Sequence, residues 1–117
     1  MHVLLVDDER DLVSALAERL AFRNIEAKYA TNGEAALELA AAEAFDVAVL
    51  DVKMPRLGGI ELSRKLRAIQ PGLKVVFLTG HGSEADFLAG CDHGDSYLIK
   101  PVRIEDLIAA LNKAVQG

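Results

Sequence analysis

Cysteine is almost missing from this chain: Cys91 is the one example in 117 residues. No internal disulfide can form, a reducing cytoplasm is the expected setting, and the thiol reads as a small half-buried residue. Long apolar runs are missing too. None approaches the roughly 20 residues that a helix needs to cross a bilayer. The opening Met1-His2-Val3-Leu4 lacks the basic, apolar and small-residue blocks of a secretory signal. Positive charge is scarce, with 13 Lys and Arg against 18 Asp and Glu and a net charge of -5. A phosphate backbone needs a basic patch and none is visible, which argues against direct nucleic-acid binding. There is no internal repeat, linker or low-complexity segment, so one domain over 1–117 is expected. What remains is 51% hydrophobic and 26% charged, enough to bury a real core and stay dissolved.

Short β-type runs alternate with longer helical ones. His2-Val6, Ile25-Ala30, Asp46-Leu50, Lys74-Leu78 and Ser96-Ile99 read as strands. Asp11-Phe22, Glu34-Ala44, Ile60-Ile69 and Ile104-Val115 read as helices. Leu12, Leu16 and Leu20 recur at four-residue spacing in the first helix, and Ile104, Leu107, Ile108, Leu111 and Val115 form one stripe in the last. Strands apolar at consecutive positions suit a parallel sheet covered on both faces. The alternation predicts an α/β, doubly wound open sheet. The stretch from Gly80 to Asp95 holds four glycines and three aspartates. Each glycine costs a helix roughly 1 kcal/mol relative to alanine, so a fourth helix near Glu84-Ala89 is expected to be short and poorly held.

Ligands of open parallel sheets sit beyond the carboxyl ends of the strands. Here those ends carry Asp7-Asp8-Glu9, Asp51, Thr79 and Lys100, while the second strand ends without charge at Ala30-Thr31. A single strand-end aspartate is ordinarily a cap or a turn former, Thr79 alone is a β-branched strand residue, and Lys100 alone a solvated lysine. The complementary set on four ends points to chemistry. Clustered carboxylates repel and draw in protons or a cation. An all-oxygen donor set with room for water suits Mg²⁺. Asp51 then reads as a nucleophile toward phosphorus, with Lys100 neutralising charge and Thr79 donating to a phosphoryl oxygen.

The blocks "LLVDDE", "VLDVKMPRLGGIEL", "VVFLTGHG" and "YLIKP" resemble, in order and over nearly the whole chain, the bacterial response-regulator receiver domain. The resemblance implies a (βα)5, flavodoxin-like three-layer sandwich with strand order 2-1-3-4-5. It implies Asp51 as phosphoacceptor, and Asp7, Asp8, Asp51 and the Lys53 backbone carbonyl as the Mg²⁺ site. Thr79 and Lys100 match the phosphoryl-binding pair, Lys100-Pro101 the family's cis peptide, and Tyr97 the aromatic switch. Implied partners are a histidine kinase or phosphotransfer protein as donor, and an output domain or protein that reads the face of helix four, strand five and helix five. Lys53 and His81 stand where the family tunes phosphoryl lifetime.

The chain departs from the family at His93, where glycine is usual and falls instead at Gly94. The Thr79–Tyr97 segment is also about one residue short. His2 and His93 carry no motif and are expected at the surface. A haloacid-dehalogenase-type phosphatase would carry an acid two residues after the nucleophile, where this chain has Lys53. A dinucleotide or flavin site would want a glycine- or hydroxyl-rich turn where Asp7-Asp8-Glu9 would repel phosphate. A phosphorylation-independent scaffold usually shows a lost acceptor or acidic pair. The "DVKMP" and "LTGHGS" wording leans toward a transcriptional regulator. Whether the receiver stands alone and whether it forms a homodimer are open.

Overall fold

The computed structural model describes residues 1–80 and 96–116. The helix expected near Glu84-Ala89 lies outside them, as do His81, Cys91 and His93. The described elements are β1 (His2–Val6), α1 (Arg10–Ala21), β2 (Glu26–Ala30), α2 (Gly33–Ala42), β3 (Val47–Asp51), α3 (Gly59–Ile69), β4 (Lys74–Thr79), β5 (Ser96–Ile99) and a C-terminal helix (Ile104–Gln116). The strands form one parallel sheet in the order β2-β1-β3-β4-β5.

Alternation along the strands divides the interior in two. Leu4, Val6, Ala48, Leu50, Val75 and Phe77 point to one face, where they pack with Ala36 and Ala40 of α2 and Leu62 and Leu66 of α3. Val3, Leu5, Val47, Val49, Val76 and Leu78 point to the other, against Val13, Leu16 and Leu20 of α1 and Leu107 and Leu111 of the C-terminal helix. Burial of each such side chain contributes about 1.5–3 kcal/mol, and the layers are therefore helix, sheet, helix.

Local chemistry sets the element ends. Asn32 caps α2, its side chain accepting from the Ala35 amide at 2.8 Å. Two glycines open α3, Gly58 as its cap and Gly59 as its first residue. Three expectations need correction. Burial at consecutive positions holds for β1, β3 and β4, while most positions of the edge strands β2 and β5 are partly or fully exposed. The first helix, expected over Asp11-Phe22, spans Arg10–Ala21, and Phe22 is its C-cap and 79% exposed. His2 is not a plain surface residue, since its ring lies 4.4 Å from that of Phe45 and Nδ1 is 3.0 Å from the Ala44 carbonyl.

Candidate functional site

The central strands end in polar groups that meet. Asp51 closes β3 and Thr79 closes β4, and both are buried. Asp7, wholly buried, follows β1 and remains in the ladder through its amide, which donates to the Ala30 carbonyl at 3.3 Å. Val6 pairs with Leu50, so one further step of the register sets Asp7 beside Asp51. Alternation puts both side chains on the side of α1 and the C-terminal helix. Thr79 pairs with Ile99 of β5, and the Lys100 amide donates to the Thr79 carbonyl at 2.8 Å. The Lys100–Pro101 peptide is cis.

Lys100 reaches back into the acids. Its Nζ is 2.7 Å from Asp7 Oδ2, 3.5 Å from Asp51 Oδ1 and 3.5 Å from Glu9 Oε1. Asp8 is exposed at the rim, and oxygens of Asp7, Asp8 and Asp51 all lie within 4.8 Å of one another. Oxygen-only donors at that spacing suit a hard divalent cation. Asp7 Oδ2 fits the same purpose: it is enclosed, and among the described residues the Lys100 ammonium, 2.7 Å away, is the one donor that faces it.

Crowding shows in proton affinity. Burial, then the Asp7 charge, push the Asp51 carboxyl from 3.8 up to about 6, against the pull of Lys100. Asp8 is raised as well, by desolvation and by its hydrogen bond and charge contact with Asp7. Partial burial disfavours the Lys100 ammonium, but the hydrogen bond to Asp7 and the charges of Asp7, Asp51 and Glu9 hold its pKa above the usual lysine value.

The loop between β3 and α3 folds back over Asp51. The Val52 amide donates to Leu78 at 2.9 Å and the Gly59 amide to Val52 at 3.0 Å. A Cβ on Gly59 would stand 2.9 Å from the Asp51 carbonyl carbon, so no larger residue fits without moving that backbone. Arg56 turns the loop with φ 69°. Lys53 is exposed on it. A cavity of about 360 Å³ opens beside Asp8, between the start of α2 and Met54-Leu57. Gly33 is packed against Leu57 there, a Cβ at 33 standing 3.0 Å from the Leu57 Cβ.

Asp7, Asp8, Asp51, Thr79 and Lys100 are thus brought to one edge, as their strand-end positions predict. Tyr97 is not among them: it sits within β5, paired with Phe77 and 41% exposed. Glu9 was legible only as part of an acidic run, and its contact with Lys100 was not foreseen. Its amide also donates to Asp7 Oδ1 at 2.9 Å.

An acid-lined carboxyl edge on a five-stranded parallel sheet in this order defines the class, and sequence comparison supplies the family. Residues 3–112 match the response regulator receiver domain. The chain belongs to that family, a signalling domain of two-component systems. It is 40% identical over 112 residues to the response regulator MprA of Mycobacterium leprae, a match covering 95% of this chain and 49% of that protein. The chain therefore spans about half the length of the curated relatives it matches. Among solved structures it is similar to a response regulator receiver domain protein from Clostridium thermocellum, with TM-score 0.86 and 30% identity over 98% of this chain and 94% of that one. It is also similar to the response regulator TrrA of Thermotoga maritima in complex with Mg²⁺-BeF, with TM-score 0.83 and 27% identity over 97% of each chain.

Proposed function

We propose that the chain is one receiver domain over 1–117 that works as a phosphorylation-activated switch, with Asp51 as its acceptor. One Asp51 carboxylate oxygen attacks the phosphorus of a phosphohistidine on a histidine kinase or phosphotransfer protein. The P–N bond breaks, the aspartyl phosphate P–O bond forms, and the departing imidazole takes its proton from solvent. The observation that carries this reading is the placement of Asp51: a buried carboxylate at the end of β3, among acids and 3.5 Å from Lys100.

Asp7, Asp8, Asp51 and the backbone carbonyl of Lys53 would hold Mg²⁺. When bound, the cation supplies charge neutralisation for the incoming phosphoryl group. The chain's own groups do the rest. The burial that raises the proton affinity of Asp51 also keeps bulk water from competing for it. Lys100 exchanges its carboxylate partners for phosphoryl oxygens, and the Thr79 hydroxyl donates to one of them. The exposed Tyr97 ring then turns inward. That motion shifts the face made by the expected fourth helix, β5 and the C-terminal helix, which an output domain or protein reads. Lys53 and His81 set how long the phosphoryl group survives, by blocking or ordering the attacking water.

The domain catalyses its own phosphorylation and dephosphorylation and turns over no further substrate. Its setting is the cytoplasm, where the phosphodonor is recharged, and it makes no nucleic-acid contact itself. Incubation with acetyl phosphate and Mg²⁺, followed by intact mass measurement, tests this. A phosphoryl adduct that disappears in Asp51→Asn is expected. No adduct on the wild-type protein would favour a scaffold receiver that binds partners without phosphorylation.

A further inference from the structure

Glu9 occupies an unusual position. It is the N-cap residue of α1, yet its side chain caps nothing. An N-cap side chain ordinarily accepts from the first-turn amides; this one points to the Lys100 ammonium, 3.5 Å away, across 91 residues of sequence. Its amide meanwhile fixes Asp7 Oδ1. Lys100 is therefore held by three carboxylates of different character. Asp7 and Asp51 are buried and, on the proposed reading, needed for the cation and the chemistry. The Glu9 side chain is 66% exposed and has no other assigned part.

We infer that Glu9 is a positioning residue, a charge tether that holds Lys100 in its resting place and slows phosphorylation. The inference rests on the proposed phosphoacceptor function. For Lys100 to reach a phosphoryl oxygen it must release carboxylate partners. With a cation bound, Asp7 and Asp51 would share their charge with it and hold the ammonium less. Glu9 stands outside that set, so its pull is the one that persists. As an exposed pair at 3.5 Å the contact is modest, equivalent to about a two- to fivefold effect. That is enough to set a rate and too little to determine the fold.

A double-mutant cycle between Glu9→Gln and Lys100→Met isolates the tether from general charge repulsion. In metal-free buffer, urea unfolding of the four proteins reads the pair directly, whether or not the chain is ever phosphorylated. The expected coupling is about two- to fivefold in the unfolding constant, falling as salt rises. In Mg²⁺, the affinity for beryllium fluoride, a phosphoryl mimic, should rise by a similar factor in Glu9→Gln and not change between Lys100→Met and the double variant. Zero coupling in unfolding overturns the tether. So does a gain in beryllium fluoride affinity that persists without Lys100, because Glu9 would then act by repelling the anion. Coupling in unfolding with no beryllium fluoride binding by the wild-type protein would leave the ion pair standing, but overturn both its role in the switch and the proposed function. Glu9→Asp, which keeps the charge, should behave more like wild type than Glu9→Gln, and the reverse order also overturns the inference.

Discussion

The central strands and the edge strands of this sheet are built to different rules. In β1, β3 and β4 nearly every side chain is buried, and these are the strands that end on Asp7, Asp51 and Thr79. In β2 and β5 most positions are partly or fully exposed. Close-packed surroundings fix the direction of a side chain to within a fraction of an ångström. On the proposed function, a carboxylate that would meet a metal and a phosphorus gains from such surroundings, and a ring that would turn does not. Tyr97 accordingly lies on the half-exposed β5, and Lys100 stands just beyond it on a long flexible stem.

Cutting into the centre should show the largest effect. Phe77 is fully buried in the middle of β4, and Phe77→Ala should cost about 3–5 kcal/mol by chemical denaturation. A loss near zero would mean that the centre is not the rigid support described here. Asp51→Asn should move stability the other way. Burial and the Asp7 charge push the native carboxyl from 3.8 up to about 6, so the folded state binds more protons than the unfolded chain between those values. Wild-type stability then falls as pH rises from about 4 to 6. The amide escapes that cost, and the variant should be more stable at pH 7 by about 1–3 kcal/mol, with a flatter profile through that window. Equal profiles for the two proteins would refute the strained carboxylate. The smallest effect belongs to the edge: Ile99 is 50% exposed, and Ile99→Thr should stay within about 0.5 kcal/mol.

The same contrast governs what the sequence revealed. Apolar runs such as Val47-Leu50 and Val75-Leu78 are unambiguous because burial on two faces leaves no polar position. The strand-end acids stand out against those runs, and so the meeting of Asp7, Asp8 and Asp51 at one edge was legible from their positions. Strand order was not, since alternation of elements fixes no order and only resemblance to the receiver family supplied one. The third strand was read over Asp46-Leu50 with Asp51 at its end, and the Asp51 backbone still pairs with Leu78. Phe22 was read as the last residue of the first helix, whereas the chain leaves α1 at Ala21 and Phe22 is its cap. Glu9 and Lys100 meet only through the fold. Nothing local in either segment encodes a contact between residues so far apart.

Chemical trapping of the phosphoryl group tests the central claim most directly. After acetyl phosphate and Mg²⁺, borohydride reduces an aspartyl phosphate to homoserine, and peptide sequencing by mass spectrometry locates it. Homoserine at position 51, absent without Mg²⁺ and absent in Asp51→Asn, is the predicted result. Homoserine at Asp7 or Asp8, or an unreduced chain after full treatment, would contradict the account.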